Sequence, residues 1–121
     1  VRALIDQKIE KGYTVEYLVF EVKPELIDRF IDMDHEYWTL FLKEQPGFIS
    51  KELWVNKSKP GEVIAVICWK SMEAWKSIPP EKLSETDKRF IELFGQENFR
   101  MVKVDYFADE LYKVREYRVL V

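Results

Sequence analysis

From Leu26 to Leu42 the apolar side chains fall on one helical stripe, and a carboxylate, Asp34, sits in the middle of it. At about 100° per residue, Ile27, Phe30, Trp38 and Phe41 lie within roughly 40° of Asp34, and Ile31, Tyr37 and Leu42 within roughly 80°. Pro24 suits the first turn of such a helix, Glu25 its positive end, and Gln45-Pro46-Gly47 its stop. A stripe of this kind packs on a sheet and normally excludes charge. The sequence therefore predicts a long helix on a sheet, with a candidate pocket at Asp34.

The rest of the chain supplies the sheet. Thr14 to Val22 is β-branched and aromatic, with Val15, Tyr17 and Val19 predicted on one face and Leu18, Phe20 and Val22 on the other. Phe48 to Val55 and Val63 to Trp69 flank a turn containing Pro60-Gly61 and read as a hairpin. On the first of these strands Ser50, Glu52 and Trp54 oppose Ile49, Lys51, Leu53 and Val55, with neither set assigned to a sheet face. Ser71 is placed to cap a short helix, Pro79-Pro80 interrupts it, and Ser84 with Asp87 restarts a helix that carries Phe90, Ile91 and Phe94 to Gly95. Phe99 to Phe107 and Tyr112 to Val121 both have strand character, and the second is expected to be the last main strand. Residues 1–13 read as a leader, at most a short helix ended by Gly12, ahead of one domain over residues 14–121.

The resulting order, β-α-β-β-α-β, is that of an α+β, ferredoxin-like fold: an antiparallel sheet with two helices on one face. Such a sheet leaves its other apolar face bare, and a homodimer is expected to cover it.

At 121 residues, with 47% hydrophobic and 15% aromatic content, the chain has ample material for one packed core. Its formal charge of −3 argues against nucleic acid or an anionic membrane as partner, leaving a small organic ligand to consider. No apolar run approaches the ~20 residues that span a bilayer. The lone Cys68, in an apolar run, fits a reducing, cytoplasmic setting. The chain opens on Val1 rather than Met, which leaves room for a processed or anchoring segment ahead of it.

Common catalytic signatures are absent. Four scattered glycines make no phosphate loop, and one cysteine with one histidine makes no Cys/His zinc site or redox pair. A carboxyl group in a helix–sheet interface can move protons to or from a bound substrate, so Asp34 is the first candidate catalytic residue; the alternative is a structural acid hydrogen-bonded within the core. His35 lies about 100° round the helix, either at the mouth of the same cavity or turned toward the carboxylates on its own flank, and the mouth is the position it would assist from. It also flanks Asp28 and Asp32, but one helix rarely supplies a whole coordination shell, and no metal site is expected. Among the large rings, Tyr17, Trp38 and Trp69 are the candidate substrate-binding residues; core or interface packing is the competing role for each.

Several local motifs extend this reading. They are the helix segment Asp34-His35-Glu36-Tyr37-Trp38-Thr39, the Gln45-Pro46-Gly47-Phe48 entry into the second strand, and Trp69-Lys70-Ser71-Met72-Glu73-Ala74-Trp75 at the end of the third. Together with the element order they resemble the dimeric α+β-barrel superfamily, in particular antibiotic-biosynthesis-monooxygenase-like domains and a small bacterial family within that group. The resemblance implies a homodimer and a cavity between helices and sheet. It also implies a cofactor-independent monooxygenase or other oxidoreductase acting on a small aromatic or lipophilic compound, with no cofactor. The other class of function is a non-catalytic dimeric binding or structural module. The superfamily's haem-degrading branch uses a histidine on the second helix, and this chain has none there.

Overall fold

In the computed structural model, which describes residues 2–120 apart from the Asp109 side chain, four strands form one antiparallel sheet in the order β2-β3-β1-β4. They are β1 (Ala3–Val22), β2 (Phe48–Val55), β3 (Glu62–Trp69) and β4 (Phe99–Leu120). Helix α1 follows a 3₁₀ turn at Pro24–Leu26 and has three consecutive parts, Ile27–Met33, Asp34–Thr39 and Leu40–Leu42. Helices α2 (Met72–Lys76) and α3 (Pro80–Phe94) lie between β3 and β4. This is the expected α+β, ferredoxin-like order, with every neighbouring strand pair antiparallel.

The helices cover one sheet face. Two apolar clusters fill the space beneath them, one around Val22, Phe30, Val63, Phe90 and Phe94, the other around Leu42, Ile67, Trp69 and Ile78. Phe30 is the hub of the first, in edge-on or tilted contact with Phe20, Phe90, Phe94 and Phe99. Strict alternation on β3 buries Val63, Ala65, Ile67 and Trp69 on this face. Their partners Phe20, Leu18, Glu16 and Thr14 share it, which puts Val15, Tyr17 and Val19 on the face away from the helices.

Two sequence motifs meet at the junction of α1 with β2. Gly47 has a positive φ of 86°, its carbonyl accepts the Lys70 N–H at 2.8 Å, and a Cβ added there would collide with the Ala74 methyl. Pro-Gly-Phe and Trp-x-Ser-x-x-Ala are thus two halves of one packing contact. Ser71 caps α2 as expected, accepting the Ala74 N–H at 3.0 Å.

Three expectations need correction. Residues 3–13 are not a leader helix but the first half of β1, with Gly12 inside the strand beneath the Tyr112 ring. Leu4, Ile5 and Ile9 do not decide between helix and strand locally; residues 111–120, available as a pairing partner, decide it. Phe99–Phe107 and Tyr112–Leu120 are one strand of 22 residues, Val121 lying outside the described residues. Register shifts between Lys8 and Lys11, Tyr13 and Val15, and Val19 and Phe20 break the alternation that a single strand would otherwise display. Finally, α3 begins at Pro80 rather than near Ser84, because a proline's missing N–H and fixed φ suit the first helical turn.

Candidate functional site

Helix α1 is not a uniform α-helix. Over Asp34–Thr39 it is π-helical, and the Leu40 N–H reaches back five residues to the His35 carbonyl. In an α-helix, side chains five apart point about 140° away from each other. The wider π turn brings Thr39 round beside Asp34, and one side chain contacts both. Lys51 Nζ donates to Asp34 Oδ2 at 2.6 Å and to Thr39 Oγ1 at 3.0 Å.

This ion pair is buried, with Lys51 and Asp34 side chains only 6% and 8% exposed. It lies between the two apolar clusters: on β2, Leu53 packs on the first and Phe48 on the second, with Lys51 between them. Removing one partner from such a pair strands a charge in a medium that solvates it poorly, and typically costs ~3–5 kcal/mol.

A second, half-buried carboxylate stands in the same sheet row. Glu16 pairs with Ile67, and Ile67 with Lys51, so both charged side chains point to the helix face. Glu16 Oε1 accepts the Trp69 indole N–H at 2.7 Å. Burial raises the Glu16 carboxyl above the ordinary value of 4.5, against the opposing pulls of the Trp69 hydrogen bond and the Lys51 charge.

Beside the ion pair opens a groove of about 630 Å³ between α1 and the edge strand β2. Ile31, Leu40 and Leu53 give it apolar walls, Thr39 and Lys51 a polar one, and Asp32, His35 and Glu36 its remaining helix side. Among the predicted residues, Asp34 is buried at the back of this wall and the exposed His35 lines the groove itself. Trp38 instead packs against the Phe30 cluster and meets Phe41 edge-on at 6.4 Å. Trp69 is fully buried as the anchor of Glu16. Tyr17 is on the opposite sheet face, with the Lys103 ammonium 5.6 Å from its ring centre. Of the predicted residues, then, His35 lines the groove, Asp34 is connected to it only through its contact with the lining residue Lys51, and Tyr17, Trp38 and Trp69 are not brought to it.

Sequence reasoning missed Lys51, Thr39 and Glu16. The signal was present for two of them: Lys51 alternates with Ile49, Leu53 and Val55, and Glu16 with Leu18, Phe20 and Val22. Each is a charge in an apolar row, as Asp34 is in its helix. Thr39 gave no such signal, because its position depends on the π turn.

Residues 15–77, more than half of the chain, match the family model described as antibiotic biosynthesis monooxygenase. No match was found among curated protein sequences. Among solved structures, the chain is similar to SnoaB from Streptomyces nogalater, a cofactor-independent oxygenase, with a TM-score of 0.62 and 15% identity over 83% of this chain and 95% of that one. A conserved protein from Methanosarcina mazei Go1 matches with a TM-score of 0.62 and 14% identity over 82% and 94%. Rv0793 from Mycobacterium tuberculosis matches with a TM-score of 0.57 and 18% identity over 80% and 94%. At these identities the structural likenesses speak to the fold, and the family match carries the assignment. The chain belongs to the antibiotic biosynthesis monooxygenase family.

Proposed function

We propose that the protein is a cofactor-independent monooxygenase acting on a small aromatic or lipophilic compound held in the groove between α1 and β2. The observation that carries this is the buried Asp34–Lys51 pair, reinforced by Thr39, at the wall of an apolar-sided groove in a chain of this family. Asp34 would take a proton from the substrate, His35 would assist at the mouth, and Lys51 with Thr39 would orient the Asp34 carboxylate. Removing that proton leaves an electron-rich anion able to pass an electron to dioxygen. Oxidation of an activated methylene to a carbonyl balances without a further reductant: one oxygen atom goes to carbon, and the other leaves as water with the two hydrogens.

The protein works, on this reading, as a homodimer. The second copy covers the sheet face that carries Tyr17, where Trp54 is 59% exposed, and supports the ribbon formed by residues 3–13 and 111–120. A two-stranded ribbon is marginal on its own. Here Tyr112, Val114 and Tyr117 are each more than 60% exposed, so these apolar side chains of the ribbon are left largely uncovered by the described residues of one chain.

A second reading, a non-catalytic dimeric binding module, draws on the ion pair with Lys51 that already engages the buried Asp34 carboxylate. Oxygen uptake with a panel of quinols and phenols, compared with substrate loss under anaerobic conditions, separates the two. A monooxygenase consumes a ligand only when oxygen is present. Ligands that bind without oxygen-dependent loss would leave the binding module.

A further inference from the structure

We propose that the groove selects neutral carbonyl compounds with an apolar body, their carbonyl oxygen accepting a hydrogen bond from Lys51. This rests on the groove being the substrate site and goes further by naming the ligand's chemistry.

A lysine ammonium has three N–H bonds and no acceptor. Asp34 and Thr39 take two, and the third has no protein acceptor among the described residues. The Lys51 side chain is more than nine-tenths buried, yet Lys51 is among the residues that line the groove. A buried donor without a partner is unfavourable, so an acceptor entering the groove gains more there than at the surface.

Charge then narrows the class. The Lys51 charge is already balanced by Asp34 at 2.6 Å, while Asp32 and Glu36 line the same groove. A ligand carboxylate would meet two acids and an ammonium whose charge is already balanced. An organic cation would be welcomed by the two acids but would face a Lys51 that can only donate. Asp32 and Glu36 are exposed, where water and salt weaken their pull, whereas the Lys51 donor is desolvated. A neutral oxygen acceptor meets neither conflict. Ile31, Leu40 and Leu53 complete the recognition by covering an apolar body.

The test compares four probes of one shape, 1-tetralone, tetralin, 1-naphthoate and 1-aminotetralin, by titration into the wild-type protein. The methyl NMR signals of Ile31, Leu40 and Leu53 report binding. The expected result is that 1-tetralone shifts these methyls and binds about 10-fold or more tightly than each of the other three, the advantage of a hydrogen bond to a charged donor. That advantage should vanish in the Asp34→Leu/Lys51→Met double variant, which removes the ion pair whole. Equal or tighter binding of any of the other three probes, absence of shifts at these methyls, or an advantage retained in the double variant would overturn the inference. The four-probe ranking needs no variant, so misfolding of the double variant does not shield the idea. Binding is read without turnover: a carbonyl preference without oxygen uptake sinks the monooxygenase reading alone, and uptake without that preference sinks this inference alone.

Discussion

Lys51 and Asp34 are each anomalous in their own element and explain each other across two. Replacing Lys51 with Met should leave a buried carboxylate unpaired and destabilise the fold by ~3–5 kcal/mol, read by urea denaturation. The Asp34→Leu/Lys51→Met double variant should recover most of that loss, since apolar groups need no pairing; a double variant as unstable as the single one would mean the pair is not the cause. Glu16 gives a pH signature. Its carboxyl is raised by burial, so the folded state keeps a proton that the unfolded chain gives up near 4.5. Stability is therefore lost as pH rises from about 4.5 through the higher folded value, and the loss is complete above it. Glu16→Gln, which can still accept the Trp69 N–H, should be free of this loss, so its advantage in Tm over wild type should grow with pH above 4.5; a constant difference would refute the assignment. At this scale Asp34 was legible in the sequence because the stripe around it is long. Lys51 and Glu16 were legible only in principle, because a strand of eight or nine residues offers fewer neighbours against which one charge looks misplaced.

Among the elements, α1 shows where periodicity stops being a guide. The stripe read at 100° per residue still puts Tyr37, Trp38, Phe41 and Leu42 on the core beyond Asp34, but it does not foresee the i→i+5 geometry of the π segment. Thr39 joins the site for that reason alone. The same limit appears in β1 and β4, whose bulges hide two long strands as several short ones. Turn chemistry was more legible: Gly47, Ser71 and Gly95 all act where the sequence placed them, because a positive φ or a cap is a local demand. Gly47→Ala should destabilise by at least about 1–2 kcal/mol in chemical denaturation, from the positive φ and the collision with the Ala74 methyl. Adding Ala74→Gly should restore the part due to the collision and leave the part due to φ; no recovery at all would show that the two motifs do not depend on each other through this contact.

For the whole molecule, the order of elements sufficed to expect the four-stranded sheet with helices on one side, because six segments in that order have few antiparallel solutions. The 20-residue length of β1 and the ribbon it makes with β4 were not foreseeable, since their pairing joins the two ends of the chain. Light scattering should give a particle of twice the chain mass, and Trp54→Asp, placed on the uncovered face, should shift it toward the monomer; a monomeric wild type would leave the apolar ribbon without its proposed support. The functional reading stands on Asp34, and oxygen uptake by the Asp34→Asn variant, measured beside its Tm on a substrate the wild type consumes, tests it most directly. With the variant still folded, uptake should fall by about 100-fold or more, the usual worth of a positioned acid–base group. Wild-type uptake in a folded Asp34→Asn protein would contradict a proton role for Asp34 and leave the buried pair as structure alone.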